Sequence, residues 1–334
     1  MADPRKDSVT WIEVDEGGEN QRIDNFLVRQ LKGVPKSHIY RILRSGEVRV
    51  NSRRVGAEYR LAIGDRIRIP PIRVAEPSPR LSVVPEQNRL ADHILYQDDA
   101  LLAIDKPAGL AVHGGSGVRL GAIEQLRVEF PRLKFLELVH RLDRDTSGVL
   151  LLAKKRSALL ALHAMMREGD MDKRYLALVS GAWQNQRQAV KLPLTKYLTA
   201  AGERRVSVDR EGQAAHTVFS LVERLDKFSL LEAELKTGRT HQIRVHLAHL
   251  GFPIAGDDKY GDFALNKALA KQGLKRMFLH ARRVAFAHPM SGELLEIVAP
   301  LPMALESFMA RLRAAPKDGG PGHPGSFVES RVST

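Results

Sequence analysis

The chain has 334 residues, in which 52 lysines and arginines against 39 aspartates and glutamates give a formal net charge of +13. The 43% of hydrophobic residues is enough for a packed core and excludes global disorder, and the absence of cysteine excludes disulfide scaffolds, thiolate metal sites and a cysteine nucleophile. The excess of positive charge favours a polyanionic partner such as a nucleic acid.

The sequence shows neither a membrane helix nor a secretory signal. No apolar run approaches the roughly 18 residues that a membrane helix needs, and no apolar region follows the charged N-terminus. We therefore expect a cytoplasmic protein without a membrane partner.

The positive charge is concentrated in the first quarter of the chain. Between Arg29 and Arg73, twelve basic and three acidic residues give a net charge of +9, and apolar residues at helical and then alternating spacing are interleaved with them. Helices are predicted at residues 23–31 and 37–46, and short strands around residues 48–50 and 67–69. We predict a small basic α/β domain at residues 20–84, after a disordered segment at 1–19. The alternative is a solvated basic surface with only a structural role.

The rest of the chain reads as one larger domain. Prolines 70, 71, 77, 79 and 85 indicate an extended linker before it. From residue 85 to 314, short alternating runs without regular strand–helix alternation predict an α+β domain with a mixed, mainly antiparallel sheet. Strands are predicted at residues 94–96, 101–104, 149–153, 175–179, 217–222, 230–235, 283–287 and 294–298, and helices at residues 157–167 and 241–250. Clustered glycines and prolines predict a disordered tail at 315–334.

Two polar clusters lie early in the larger domain. Residues 105–109 (DKPAG) place a charged pair and a turn at the end of a strand, a pattern that is common in plain turns. Residues 140–148 (HRLDRDTSG) lie between apolar segments, where unpaired charges would be costly, so a functional site explains them best. The ionisable candidates there are His140, Asp143 and Asp145, and the alternative is an exposed loop with its own ion pairs.

Two further clusters follow. Lys173 and Arg174 precede Tyr175 at the start of a strand, where a tyrosine is usually sheet packing. Residues 236–246 combine a glycine turn with the start of a helix that Thr240 can cap. Because guanidinium groups bind anions in a bidentate way, a phosphate or carboxylate is the natural partner for Arg239 or Arg244.

Several other site types do not fit the sequence. His241, His246 and His249 lack the spacing and the nearby acids of a familiar metal site, so we expect no metal. The glycine run at 114–117 lacks the ending of a P-loop, so no nucleotide cofactor is predicted. A serine hydrolase elbow is absent as well.

The four clusters, in this order, resemble the motifs of the RluA class of pseudouridine synthases. Residues 140–148 resemble the active-site motif, in which the Asp after His-Arg-Leu is the catalytic residue. Residues 105–109 resemble the first motif, 173–175 the strand with the active-site tyrosine, and 238–246 the third motif. Residues 24–69 resemble the RNA-binding domain first seen in a small-subunit ribosomal protein. The amino-acid sequence of residues 34–71 and of the third motif most resembles the RluC branch, which acts on several uridines of large-subunit (23S) ribosomal RNA.

The resemblance implies an isomerase that uses no cofactor and no ATP. Asp143 would act as an ionised nucleophile or as the base that removes a ribose proton. Arg244 would pair with Asp143 and keep it ionised and oriented. Tyr175 would stack on the uracil and assist proton removal from carbon 5, while Arg141 would fill the space left by the extruded nucleotide.

The implied partner is structured RNA, most of all large-subunit ribosomal RNA, bound by a monomeric protein. The residues expected to contact RNA are His140, Arg141, Arg239, Lys36, Arg41 and Arg44. Three alternatives stay open: the same chemistry on transfer RNA or another ribosomal helix, a non-catalytic RNA-binding factor in ribosome assembly, and a metal-dependent nuclease.

Overall fold

The computed structural model describes residues 8–31, 34, 36–72, 89–114, 120–200 and 202–314. The predicted tail at 315–334 and the part of the predicted linker after residue 72 lie outside the described residues. The chain divides into two compact units. One runs to Asp172 and includes Arg283–Ala299, and the other comprises Lys173–Arg282 and the segment from Pro300 onward.

The N-terminal part of the first unit is a small α/β module. Its elements are β1 (Thr10–Glu13), α1 (Ile23–Gln30), α2 (Lys36–Arg44), β2 (Arg49–Val50) and β3 (Arg66–Ile69). The strands form an antiparallel sheet in the order β1-β3-β2. The two predicted helices and the two predicted strands are therefore confirmed. The expectation of a disordered segment through residue 19 is wrong for β1, because its backbone pairs with β3.

The core of this module follows from the spacing of its apolar residues. Ile23, Phe26 and Leu27 on α1 are buried together with Ile39 and Ile42 on α2, since residues three and four apart share a helix face. The opposite face of α2 carries cations. The exposed basic residues of α2 are Lys36, Arg41 and Arg44.

The remainder of the first unit is built on antiparallel strands. Its elements are β4 (Ile94–Gln97), β5 (Leu101–Lys106), α3 (Ala122–Glu129), β6 (Glu137–Leu138), β7 (Ser147–Ala153), α4 (Arg156–Glu168) and, from the C-terminal side, the end of β14 (Leu279–Ala287) with β15 (Leu294–Val298). β5 pairs with β4 and with β7, β6 also pairs with β7, and β15 pairs with β14. The predicted hairpin at residues 94–104 and the predicted helix ending at Gly169 are confirmed.

Strand β7 is the centre of this unit's core. All of its residues are buried, so its apolar run does not alternate with polar residues. Val149 and Leu151 pack with Leu159 and Leu162 of α4. Because this core holds β7 in place, the first residue of the strand, Ser147, has a fixed position. The polar loop at residues 140–146 ends directly before it.

The second unit also consists of antiparallel strands and helices. Its elements are β8 (Asp172–Ser180), β9 (Arg187–Val190), β10 (Leu194–Leu198), β11 (Arg204–Val208), β12 (Thr217–Leu225), β13 (Phe228–Leu235), α5 (Gln242–His249), α6 (Phe263–Lys271), the start of β14 and α7 (Met303–Ala314). The strand order is β8-β13-β12-β9, and β10 and β11 form a separate hairpin. Phe278, Phe308 and Leu269 belong to a core cluster that packs α6 and α7 with the strands.

The predicted α+β class with a mainly antiparallel sheet is confirmed. No helix among the described residues is long and apolar enough to cross a membrane. The elements that sequence patterns did not predict are β1, β6, β9, β10, β11, α3, α6 and α7. Most of these are short or have mixed polar and apolar faces, so they depend on tertiary packing more than on local periodicity.

Candidate active site

Asp143 lies on a fixed loop that joins β6 to β7 in the first unit. The backbone N–H of Thr146 donates to the carbonyl of Asp143 at 3.2 Å and closes a turn. Leu142 on one side and Thr146 and Ser147 on the other are buried, while Asp143 itself is partly exposed. The loop is therefore anchored at both ends and presents the carboxylate between the anchors.

A buried lysine holds the same loop from the neighbouring strand. Lys106, at the end of β5, is 0% exposed, and its ammonium donates to the carbonyls of Pro107 and Leu110 at 2.8 Å and of Arg144 at 3.0 Å. The backbone N–H of Gly109 donates to the carbonyl of Arg144 as well, at 2.8 Å. Charge-assisted bonds of this kind are strong in a low-dielectric interior, so they fix the loop one residue after Asp143.

The structure thus brings the first two polar clusters together. Lys106 lies opposite Gly148 in the β5–β7 ladder, which places residues 105–109 beside residues 140–148. The pattern of residues 105–109 is also common in plain turns, so the sequence did not predict the role of Lys106. Its signal was an Asp-Lys pair at the end of an otherwise apolar strand.

His140 and Arg141 differ in exposure. The Nε2 atom of His140 accepts a hydrogen bond of 3.1 Å from the backbone N–H of Leu151 in β7, which assigns the ring proton to Nδ1. This bond continues the β6–β7 ladder, so the side chain of His140 helps to hold its own segment against β7. Arg141 is exposed on the surface of the loop. Contacts of both side chains with RNA stay predictions.

Tyr175 lies in the second unit on β8, where it is opposite Ala233 of β13 and only 8% exposed. Its neighbour Arg174 forms an ion pair of 3.0 Å with Glu232. Because side chains alternate along a strand, Tyr175 and Arg174 lie on opposite faces of the sheet. Burial lowers the pKa of the ammonium group of Lys173, which precedes Arg174 in the chain.

Arg244 is buried on α5 and is held by a carboxylate that sequence patterns did not indicate. Its Nε and Nη2 atoms donate to the two carboxylate oxygens of Asp257, each at 2.7 Å, and the two side chains are 3% and 1% exposed. Asp257 also accepts hydrogen bonds from the backbone N–H groups of Lys259 and Tyr260. The geometry fixes the plane of the guanidinium group. The predicted pairing of Arg244 with Asp143 stays a prediction.

The ionised state of Asp257 follows from this environment. Burial alone raises the pKa of the carboxyl group, but the hydrogen bonds and positive charge of Arg244 outweigh it. The pKa of Asp257 is therefore below its ordinary value of 3.8, and the pair stays charged at neutral pH.

The loop before α5 is organised by Gln242 and not by the predicted helix cap. His241, with φ 55°, occupies the N-cap position without a side-chain capping bond, so the expectation that Thr240 caps this helix is wrong. The Oε1 atom of Gln242 accepts from the Thr237 hydroxyl at 2.7 Å and from the backbone N–H of Arg239 at 3.0 Å. These bonds hold the loop, and Arg239 projects from it as an exposed side chain.

Tyr260 connects this helix to the β10–β11 hairpin. Its ring lies 5.1 Å from the Arg244 guanidinium carbon, and its hydroxyl accepts a 2.9 Å hydrogen bond from the backbone N–H of Val206. The same hydroxyl lies 2.8 Å from Nδ1 of His241. Within the described residues, no group of three or more metal-ligating side chains is close enough to hold a metal ion.

Family models and known proteins match most of the chain. The family model described as RNA pseudouridylate synthase matches residues 100–249, and the S4 domain model matches residues 21–67. The chain is 55% identical to the ribosomal large subunit pseudouridine synthase C of Salmonella typhimurium, over 92% of this chain and 97% of that protein. The chain belongs to the RNA pseudouridylate synthase family. The protein of the same name from Escherichia coli strain K12 is 54% identical with the same coverage.

Solved structures of this synthase family share the fold. Human RNA pseudouridylate synthase domain containing 4 is 28% identical, with a TM-score of 0.56 over 67% of this chain and 94% of that one. Human RNA pseudouridylate synthase domain containing 1 is 26% identical, with a TM-score of 0.52 over 67% and 95%. The predicted membership in the synthase family and the predicted fold are confirmed, whereas the roles of single residues stay predictions.

Replacing Lys106 with Met should damage both stability and activity. The substitution removes a donor from three carbonyls. The carbonyl of Arg144 keeps its bond from the N–H of Gly109, and each buried carbonyl that is left unsatisfied costs on the order of 1–3 kcal/mol. We expect a lower free energy of unfolding in urea and loss of isomerase activity as the Asp143 loop shifts. Lys155→Met, at an exposed position, is the control and should change stability by less than about 0.5 kcal/mol. Equal behaviour of the two variants would contradict the role given to Lys106.

Replacing Asp257 with Asn should leave Arg244 buried without its main counter-charge, at a cost of about 3–5 kcal/mol. Because the folded-state pKa of Asp257 is lowered, its contribution to stability is complete above the ordinary pKa of 3.8 and is lost as the pH falls through the folded-state value. Denaturant unfolding between neutral and acidic pH should therefore show a shallower acid dependence for Asp257→Asn than for the wild type. Parallel curves for both proteins would refute the assignment.

Proposed function

We propose that the protein isomerises uridines of large-subunit (23S) ribosomal RNA to pseudouridine, with Asp143 as the catalytic residue. The observation that carries this proposal is the identity of 54–55% over 92% of the chain with relatives that are named for this reaction on the large ribosomal subunit. Alignment at this level covers both the small basic module and the larger domain.

The chemistry fits a site without an external reagent. Breaking the N-glycosidic bond of uridine, turning the base and rejoining it through carbon 5 leaves the atoms of the nucleotide unchanged, apart from a proton that leaves carbon 5 and one that is gained by nitrogen. Such a reaction needs an ionised carboxylate as nucleophile or base, which is the part we propose for Asp143. Its anchored loop limits the motion of the carboxylate and therefore lowers the entropy lost on the way to the transition state.

Arg244 and Tyr175 complete the proposed set. We propose that Arg244, whose plane is fixed by Asp257, pairs with Asp143 and keeps it ionised. Tyr175 would stack on the uracil and assist removal of the proton from carbon 5. Its place on a paired strand fixes the ring, and a stacking contact with an extruded base needs a ring in a fixed position.

The reacting nucleotide must leave the RNA stack before it can reach a carboxylate of this kind. We propose that the exposed Arg141 fills the vacated space in the RNA, and that His140 helps to fix the loop that presents Arg141. Arg239, exposed on the loop before α5, would bind a phosphate.

The basic N-terminal module would supply affinity. Lys36, Arg41 and Arg44 lie on the exposed face of α2, in the part of the chain that matches the S4 domain model. Contacts of such cations with phosphates position a protein on RNA and make binding dependent on salt, but they do not read the base sequence. We propose that the protein acts as a monomer in the cytoplasm, with domain boundaries near residues 20, 84 and 314.

Asp143→Asn should abolish isomerisation and leave RNA affinity within a few fold, because the shape of the side chain is retained. The assay is tritium release from RNA labelled at carbon 5 of uridine, alongside filter binding of the same RNA. Asp145→Asn is the matched control on the same loop, where the carboxylate pairs with Arg144 at 3.4 Å, and it should keep most of the activity. A loss of RNA binding as large as the loss of turnover would contradict a chemical role for Asp143.

Changing Lys36, Arg41 and Arg44 together to Gln should weaken RNA binding and reduce its dependence on salt. Each lost phosphate contact lowers the slope of log K against log salt by roughly 0.7–0.9, so the triple variant should lose about 2 to 3 units of slope. The control is the triple change of Lys267, Lys271 and Lys275, which are also exposed, to Gln. If both triple variants lose the same slope, general charge and not the α2 face binds the RNA.

A further inference from the structure

A cleft of about 300 Å³ opens in the second unit between the β10–β11 hairpin and the loop before α5. Its lining residues are Leu194, Thr195, Lys196, Val206, Gln213, Gly238, Arg239 and Thr240. The volume is at the lower end of the range of about 300–1,000 Å³ for small-ligand sites. It is therefore large enough for one nucleotide and too small for a folded segment.

The two charged side chains that line the cleft are both positive. Within the described part of the chain, Lys196 and Arg239 are the charged residues of the lining, and none of the lining residues carries a carboxylate. The Nε atom of Arg239 donates to the carbonyl of Ala214 at 3.1 Å, which holds the guanidinium group at the rim. An anion inside the cleft would therefore lie near two cations.

The β10–β11 hairpin carries further exposed cationic and apolar side chains beyond the cleft. Leu198 lies opposite Arg204 in the β10–β11 ladder, two residues beyond Lys196, so all three side chains share one face of the hairpin. Leu198 is 66% exposed, and Lys196 and Arg204 are exposed as well. A large apolar side chain between cations is suited to contact with the apolar face of a base or a ribose while the cations hold phosphates.

The hairpin is fixed to the helix that carries Arg244. Leu194 and Val206 pack with Val245 of α5 in one core cluster. The side chain of Arg205 donates to the carbonyl of Lys259 at 2.8 Å, next to Tyr260, whose ring contacts Arg244. The cleft is therefore a preformed feature at a set distance from Arg244, which suits a site that positions substrate.

We propose that this cleft binds one nucleotide of the substrate RNA beside the target uridine, with its phosphate between Lys196 and Arg239 and its sugar or base against Leu198. The proposal rests on the function proposed above, since it takes RNA as the substrate. Binding here places the strand relative to Arg244, so loss of the site should weaken substrate binding more than the chemical step.

The test is phosphate ethylation interference on a transcript of large-subunit ribosomal RNA. Partly ethylated RNA is bound to the full-length protein, and ethylated positions that are depleted from the bound fraction mark phosphates that the protein needs. The wild type and the control Lys267→Gln, at an exposed position on α6, should both show depletion near the modified uridine. Lys196→Gln and Arg239→Gln should each lose depletion at the same phosphate, and Lys196→Gln should raise KM roughly fivefold to tenfold with kcat within about twofold.

A second variant changes the shape of the cleft without changing its charge. A Cβ atom at Gly238 would have no heavy atom within 4 Å beyond its own and the two adjacent residues, so Gly238→Val adds its side chain to open space. It should raise KM and lose the same interference position while the midpoint of thermal unfolding stays within a few degrees of the wild type.

Interference patterns of Lys196→Gln and Gly238→Val that match the wild type would overturn the proposal. It would also be overturned if inorganic phosphate bound to the wild type and not to Lys196→Gln while the RNA pattern stayed unchanged, because the cleft would then be an anion site unrelated to RNA. Tritium release by the wild type is measured on the same transcript. Absence of release together with loss of the interference position in Lys196→Gln would refute the proposed isomerase function and still support the cleft as an RNA site.

Discussion

The buried ion pair between Arg244 and Asp257 is the constraint on which the second unit's part of the site depends. A charge in the interior of a protein is tolerated only when its counter-charge and hydrogen bonds are in place, and this pair meets both conditions with a bidentate geometry. Its consequence reaches beyond the two residues. Asp257 also orders the turn that carries Lys259 and Tyr260, and that turn holds the β10–β11 hairpin against α5.

The first unit also contains a buried charge, which is compensated by backbone carbonyls and not by a carboxylate. Lys106 is fully buried, and backbone carbonyls on the loop of Asp143 and on its own turn accept its hydrogen bonds. The buried ammonium is stable only while these carbonyls accept its hydrogen bonds, and the loop keeps its position only while the ammonium donates them. In the first unit a buried cation fixes the loop of Asp143, and in the second unit a buried carboxylate fixes the cation Arg244. The cations Lys36, Arg41 and Arg44 of α2 and Lys196 and Arg204 of the β10–β11 hairpin are exposed.

Local patterns in the sequence predicted a large share of the fold. The helices α1, α2, α4 and α5 and the strands β5, β7, β12 and β13 have apolar residues at regular spacing or in continuous runs, and such signals need no knowledge of the partner. The polar clusters at residues 105–109, 140–148 and 236–246 were visible for a related reason, since charged residues stand out between apolar strands. Short elements such as β1 and β9 gave no comparable signal, because a few residues of strand are stable only when the neighbouring strand is present.

The sequence by itself therefore determined the family, the α+β class, the basic module and the candidate residues Asp143, Tyr175 and Arg244. Only the tertiary structure decided which carboxylate holds Arg244, which carbonyls surround Lys106 and that a basic cleft opens beside Arg239. The physical reason is that composition and periodicity report on each residue's own preference for burial or exposure. The partner of a buried charge is chosen by the packing of segments that are distant in the chain, and that choice leaves no mark in the local pattern.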